Sequence, residues 1–164
     1  MPIVIAAPPA VLKFESLCDL YEQYLALLVS KEHKCPRGIN INFEPHHFFH
    51  LIKLRKGYQT EFKLSEEQEI ILATKKGFGK YTLDLSRAEK LAWLPDLIRD
   101  PHEIYEYAQK KTADEVIIKE YDKSGSPFKA LLLLREEDYL TPITSMTVRR
   151  PSIKEHRRGQ KLWP

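Results

Sequence analysis

Cysteine is scarce in this chain, and its scarcity argues against a protein held together by disulfides. Only two cysteines occur among 164 residues. Cys18 falls on the apolar face of a predicted helix, and Cys35 falls in a predicted loop. Small extracellular domains usually carry several disulfides, so this pattern favours a reduced, cytoplasmic protein.

Long apolar runs are also missing. No run in the sequence approaches the roughly 18 residues that a membrane-crossing helix needs, so we expect no membrane partner. The opening stretch 1–9 is apolar, but no basic residues precede it and no convincing cleavage site follows it, which argues against an export signal. A composition of 43% hydrophobic and 30% charged residues is typical of a globular domain.

Two common catalytic signatures are absent. Ser145 is not set in the strand–turn–helix elbow that presents a nucleophilic serine, which argues against acyl-transfer chemistry. The glycine-containing stretch 77–80 is too short for a phosphate-binding loop and does not follow an apolar strand.

A zinc site is the alternative suggested by histidine spacing. His46 and His50 are four residues apart, which suits two ligands on one helix face, and His33 and Cys35 are possible further ligands. The glutamate that would follow the first histidine in a protease-type motif is absent, and we expect neither a metal nor another cofactor.

The pattern of apolar residues predicts helices first and strands afterwards. Helices are predicted over 10–31, 45–54, 65–76, 84–93 and 100–111, and strands over 39–43, 115–121, 128–135 and 142–149. We therefore predict one α+β domain over 1–164. In it, N-terminal helices (about 10–112) pack on a small, mostly antiparallel four-stranded sheet (about 115–150), and a basic tail (151–164) follows.

Basic residues are concentrated near the C-terminal end. Residues 149–164 include six basic residues and one acidic residue, a net charge of +5. The rest of the chain has 20 basic and 22 acidic residues, a net charge of −2. Such a segment favours a polyanionic partner, most simply nucleic acid, although a tail that only aids solubility would have the same composition.

The last predicted strand has a polar face beside that segment. Ser145, Thr147 and Arg149 share one side of the strand because successive strand residues point to opposite faces. Two hydroxyls and a guanidinium on one face suit an anionic ligand, since the planar guanidinium binds two oxygens at once.

Three of the six histidines lie within five residues, on the helix predicted from Pro45. Histidine suits proton transfer because its ordinary pKa is near neutrality. Metal-free RNA cleavage needs a base, an acid and cations, since the 2′-hydroxyl attacks the adjacent phosphorus and negative charge develops there. These residue types predict a metal-independent endoribonuclease that leaves a cyclic phosphate.

Each predicted site residue has a role in that reaction. We predict His50 as base or acid, His156 as the second proton carrier, Arg149 as phosphate clamp, and Ser145 and Thr147 as positioning groups. The predicted substrate-binding residues are His46, His47, Thr144, Arg150, Lys154, Arg157 and Arg158.

A resemblance to a known family supports the same expectation. The residues that carry it are Trp93, Leu94, Pro95, Arg99, Asp100, Pro101, Glu103 and Ile104, the strands 116–121 and 131–134, and the segments 143–146, 41–43 and 49–52. The segment 91–150 resembles the phage group of barnase–EndoU–colicin E5/D–RelE-like nucleases, and 49–52 is similar to a phenylalanine–histidine–leucine motif of sister groups. Lys53 stands where that motif has glycine.

The resemblance implies N-terminal helices on a four-stranded antiparallel sheet and metal-independent ribonuclease activity, as in toxins or phage-delivered effectors. Matching motifs would put His50 at the histidine position and Thr144 and Ser145 at the polar strand position. It further implies RNA, with tRNA as one substrate class, and an inhibitor protein as partners.

Two alternatives remain at this point. One is a non-catalytic module that binds RNA, DNA or an acidic protein through the basic tail. The other is a regulatory or phage structural domain without a polyanionic partner.

Overall fold

A mixed sheet of six strands is the centre of the fold in a computed structural model that describes residues 5–15, 17–53, 55–56, 81–82 and 84–164. Its strands are β1 (Asn40–Ile41), β4 (Glu103–Glu106), β5 (Glu115–Glu120), β6 (Phe128–Arg135), β7 (Tyr139–Val148) and β8 (Lys161–Trp163). Their spatial order is β1-β7-β6-β5-β4-β8, and β2 (Arg55–Lys56) and β3 (Tyr81–Thr82) form a separate antiparallel pair. The predicted α+β class is confirmed, but the sheet has six strands instead of four. It is mixed because β1 runs parallel to β7.

Short helices cover one face of this sheet. They are α1 (Leu17–Tyr24) with a wider helical turn at Leu25–Val29, α2 (Phe48–Leu51) after a 3₁₀ turn at Pro45–His47, α3 (Leu85–Glu89), a 3₁₀ turn at Lys90–Trp93, and α4 (Leu94–Arg99). The helices predicted near 10–31, 45–54 and 84–93 are confirmed with shorter bounds. The helix predicted over 65–76 lies outside the described residues.

Strand β6 is buried on both sides from Phe128 to Leu133, as the apolar run at 130–134 predicts for a central strand. Leu131 and Leu133 pack against the helices together with Ile117 of β5. Ala130 and Leu132 alternate with them and pack into a second core on the other face. The hairpin of β5 and β6 is antiparallel, as predicted. The two cores fix which side of the sheet each residue of β5, β6 and β7 occupies.

The helix predicted over 100–111 is wrong, since Glu103–Glu106 is strand β4. Asp100 and Pro101 resemble a helix cap followed by a first-turn proline, but here they follow the end of α4. The last residue of α4 is Arg99, and Pro101 cannot extend the helix. After it, Ile104 enters the helix-side core and Tyr105 packs against the second core, an alternation with the period of a strand. Pairing with β5 and β8 on either side overrides the local capping signal.

The predicted basic tail is instead a folded part of the domain. A 3₁₀ turn at Arg150–Ser152 leads into α5 (Ile153–His156), and β8 then pairs with the outer edge of β4. Gly159 makes this return possible, because a Cβ there would collide with the backbone carbonyl of Glu106.

Asp84 caps α3, because its carboxylate accepts a hydrogen bond of 3.1 Å from the Arg87 backbone N–H. Within the described ranges, none of the helices has the length and apolar character needed to cross a membrane.

Candidate anion-binding site

The polar face of β7 is turned toward the helices. Ser145 lies opposite Leu131, and Thr147 lies opposite Lys129, so these side chains share the face that the helices cover. Ser145 is fully buried and Thr147 is half-buried. The hydroxyls that the sequence predicts on one face therefore lie in the interior beside a lysine.

Two lysines sit side by side in this interior, and only one of them is neutralised. Lys119 of β5 and Lys129 of β6 are directly opposite each other in the strand register. The Lys119 ammonium lies 3.0 Å from a carboxylate oxygen of Asp96 and 3.3 Å from one of Asp100. Lys129 is 0% exposed, and its ammonium has no hydrogen-bond partner among the described residues. Burying a cation without a hydrogen-bond acceptor costs free energy, so Lys129 destabilises the fold unless an anion binds beside it.

Further cations increase this positive charge. Burial, followed by the charges of Lys90, Arg87 and Lys123, lowers the pKa of Lys129 to about 7, and the charge of Asp84 opposes them. Asp84 is itself engaged by Arg87, through the cap and through a 3.5 Å ion pair with the guanidinium. We refer to Arg87, Lys90, Lys123 and Lys129 as the cationic cluster.

Helix α3 and the turn after it position half of this cluster. The Asp84 cap sets the first turn, which carries Arg87, and Lys90 follows at the end of the helix. The Lys90 ammonium donates to the Ser86 hydroxyl at 2.6 Å and lies 5.4 Å from the centre of the Trp93 ring. Lys90 is consequently held almost completely buried, at 8% exposure.

Lys123 completes the cluster from the turn between β5 and β6. Its ammonium lies 5.7 Å from the centre of the Trp93 ring, which therefore contacts two lysines. Burial, a side-chain hydrogen bond with Lys90 and the positive charge of Lys90 lower the pKa of Lys123 to about 8. Two ammonium groups in contact repel each other, and an anion between them would remove that repulsion.

Three buried donors around the cluster lack acceptors. They are the Lys129 ammonium, the Ser145 hydroxyl and the Trp93 indole N–H, none of which has a hydrogen-bond partner in the described structure. Native proteins satisfy nearly all buried polar groups, so buried donors without acceptors beside a group of cations suit an anionic ligand. A tetrahedral oxyanion presents several acceptors at once and suits these donors.

The histidine-bearing helix reaches the edge of this site. The Thr144 hydroxyl accepts a hydrogen bond of 2.7 Å from the Arg87 guanidinium and approaches the backbone carbonyl of His50 at 3.5 Å. The His50 side chain is exposed. The structure thus brings the predicted residues His50, Thr144, Ser145 and Thr147 to one end of β7.

The other predicted catalytic residues lie elsewhere. Arg149 is exposed beyond the end of β7. His156 is buried in α5 with its ring 5.8 Å from that of Tyr107, at the second core, and burial lowers its pKa despite the nearby charge of Glu155. Neither residue joins the cationic cluster, so the predicted pairing of His50 with Arg149 and His156 is not assembled.

Most predicted phosphate-binding residues of the C-terminal segment are already paired. The Arg150 guanidinium binds Glu120 at 2.7 Å, and the Arg157 guanidinium binds Glu103 at 2.7 Å. Arg158 binds Glu155 at 3.1 Å, while Lys154 is exposed. These ion pairs attach α5 to the sheet, and this segment is less available to a polyanion than its net charge suggests.

His46 and His47 lie at the start of α2, in a cluster with Glu44. One ligand atom from each of these three side chains lies within 4.8 Å of the others, an arrangement compatible with a metal ion. Helix capping explains the same arrangement, because the Glu44 backbone N–H donates to the His47 Nδ1 at 2.9 Å. Burial and the charge of His46 lower the pKa of His47 to about 4. The zinc pair considered from spacing, His46 and His50, is not this group.

Sequence reasoning missed the cations that form the site. Lys129 interrupts an otherwise apolar strand, and a charged residue inside such a run is the one signal that could have identified it. Lys90 and Arg87 look like ordinary surface residues of a short helix until the helix is placed over β7.

Comparison of the chain with models of protein families, with curated proteins and with solved structures found no match. The site is therefore interpreted from its own geometry.

Proposed function

We propose that the protein binds RNA and that the cationic cluster holds one of its phosphate groups. The single observation that carries this proposal is Lys129, a fully buried ammonium without a hydrogen-bond partner, surrounded by three further cations. Phosphate supplies the oxygens that the Lys129, Ser145 and Trp93 donors lack, and lysine and arginine are its usual ligands in proteins.

RNA is preferred over a free small anion because of what surrounds the cluster. The chain has a net charge of +3, and Thr144, which binds the Arg87 guanidinium, lies beside the backbone carbonyl of His50, whose side chain is exposed at the rim. A strand anchored at the cluster would continue across this rim, where the exposed imidazole can hydrogen-bond to phosphates and bases.

The test is the affinity of a fluorescently labelled single-stranded RNA, measured by anisotropy at low salt. Lys129→Met keeps the buried shape and removes the charge, and we expect at least about tenfold weaker binding, because a hydrogen bond to a charged group contributes about 1.5–3 kcal/mol. Lys110→Met is the matched control, since Lys110 is exposed and paired only with Glu106 at 3.6 Å.

If Lys129→Met and the wild-type protein bind the RNA with equal affinity, the cluster is not part of the binding site. Absence of any binding by the wild-type protein at low salt would end the proposal itself.

Cleavage of the bound RNA is the second candidate function. It is favoured by Thr144, which binds the Arg87 guanidinium and lies 3.5 Å from the backbone carbonyl of His50, whose side chain is exposed. In this reaction His50 takes the proton of a 2′-hydroxyl, the 2′-oxygen bonds to phosphorus, and the bond from phosphorus to the 5′-oxygen breaks. The leaving 5′-oxygen takes its proton from solvent water. Arg87 takes the clamping role that was predicted for Arg149.

Cleavage should occur in chelator between pH 5 and 8 and yield ends with a 2′,3′-cyclic phosphate. We expect His50→Ala to slow it by about 10²–10⁴-fold, the usual contribution of a general base. The same oligonucleotide with deoxyriboses is the control, since it lacks the attacking hydroxyl. Cleavage of the deoxy strand, or an unchanged rate in His50→Ala, would contradict this mechanism.

A further inference from the structure

The cationic cluster has a closed inner end and a more accessible outer side. Lys129 and Ser145 are 0% exposed and Trp93 is 4% exposed, and these residues carry the donors without acceptors. Arg87 and Lys123 are half-buried and lie nearer to solvent. A ligand must therefore enter past the outer cations to reach the donors at the closed end.

An internal phosphodiester is poorly suited to such a closed end. Its phosphorus is attached to two nucleosides, so the chain continues in two directions, and two of its four oxygens are esterified. A terminal phosphate is attached through a single ester oxygen and leaves three oxygens free. These free oxygens are acceptors for unsatisfied donors such as those on Lys129, Ser145 and Trp93.

The positive charge of the cluster also favours a phosphomonoester over a phosphodiester. A phosphomonoester carries about −1.5 to −2 at pH 7, whereas a phosphodiester carries one negative charge. Three cations, Lys90, Arg87 and Lys123, act on Lys129, and among the described residues only the Asp84 carboxylate, already engaged by Arg87, opposes them. The more highly charged group neutralises this excess more completely.

We propose that the cluster recognises the terminal phosphate of an RNA strand. This inference rests on the proposed RNA binding and specifies which phosphate is held. The strand then leaves the cluster on the outer side, past Arg87 and Thr144 toward His50.

The experiment compares one short oligoribonucleotide in three forms, with a 5′-phosphate, with a 3′-phosphate and with hydroxyls at both ends, each carrying the same internal fluorophore in chelator. We expect one phosphorylated form to bind at least about tenfold more tightly than the dihydroxyl form, a difference of about 1.4 kcal/mol. Lys129→Met should reduce that preference to less than about twofold, whereas Lys110→Met should keep it.

Two outcomes separate this inference from the proposed function. If all three forms bind equally and Lys129→Met weakens each by the same factor, RNA binding at the cluster stands and recognition of an end is overturned. If no form binds the wild-type protein, both are overturned. Inorganic phosphate is added as a competitor, and displacement only of the phosphorylated form would support the assignment.

Discussion

Lys129→Met is expected to raise the free energy of unfolding at pH 7 by about 3 kcal/mol. Lowering a pKa by one unit costs about 1.4 kcal/mol, and burial with neighbouring cations lowers that of Lys129 from 10.5 to about 7. Methionine removes this cost while filling most of the same apolar volume, although imperfect packing returns part of the gain. Urea unfolding followed by circular dichroism measures the change.

The pH dependence of stability gives this prediction a second, sharper test. In the unfolded chain Lys129 keeps its proton up to about pH 10.5, but in the folded protein it loses it near pH 7. The unfolded state therefore binds more protons between these values, so the stability of the wild-type protein rises with pH there, by up to about 1.4 kcal/mol per pH unit from this group. Between pH 7 and 9, the stability of Lys129→Met should therefore rise less steeply with pH than that of the wild-type protein.

Lys110→Met is again the control, and its stability and pH profile should match those of the wild-type protein. A Lys129→Met variant that is less stable than wild type at every pH would show that the buried ammonium is compensated. The cluster would then need no anion to offset its charge.

Asp96→Asn is expected to lower the free energy of unfolding by about 3 kcal/mol. The effect is opposite in sign to that of Lys129→Met, and it acts through the neighbouring Lys119. Lys119 is 3% exposed, and its ammonium lies 3.0 Å from Asp96. The same carboxylate accepts a 2.7 Å hydrogen bond from the Tyr121 hydroxyl. Removing the negative charge leaves Lys119 with Asp100, which is 75% exposed and a weak partner.

Lowering the pH should reproduce part of this loss of stability in the wild-type protein. Burial alone would raise the pKa of Asp96, but hydrogen bonds from Tyr121 and Lys119 and the charge of Lys119 outweigh it, so that the pKa is lowered. The stabilisation is therefore complete above about pH 4 and is lost as the pH falls through the lowered value. Asp138→Asn, in an exposed loop, is the control. A change below about 0.5 kcal/mol in Asp96→Asn would contradict the ion pair.

The strands of the meander β5–β6–β7 were predictable because their signals are local. The alternation on β5 and β7 and the continuous apolar run on β6 each identify a strand without reference to the rest of the chain. Strands β1, β4 and β8 depend on partners far away in sequence. The two residues of β1 become a strand only because β7 lies beside them, and β4 carries a helix-start motif that its neighbours overrule.

The site likewise combines residues with a local sequence signal and residues that are placed only by distant contacts. The shared face of Ser145 and Thr147 and the histidines near His50 could be predicted, because strand alternation and clustering are visible in a sequence. Their cationic partner was not, since whether Arg149 or Arg87 meets this face depends on which helix packs against β7. Lys129 illustrates the limit, because its register opposite both Lys119 and Thr147 exists only in the assembled sheet.

The docking of the last strand onto β4 has a practical consequence for anyone who wishes to probe the basic C-terminal residues. Deleting 152–164 would strip β8 from the backbone edge of β4 and uncover the apolar ring of Phe128, beside which Ile153 packs. Bare strand edges recruit other strands, so such a truncated chain is prone to self-association whatever its charge. Individual charge-neutralising substitutions test the contribution of these arginines without exposing that edge.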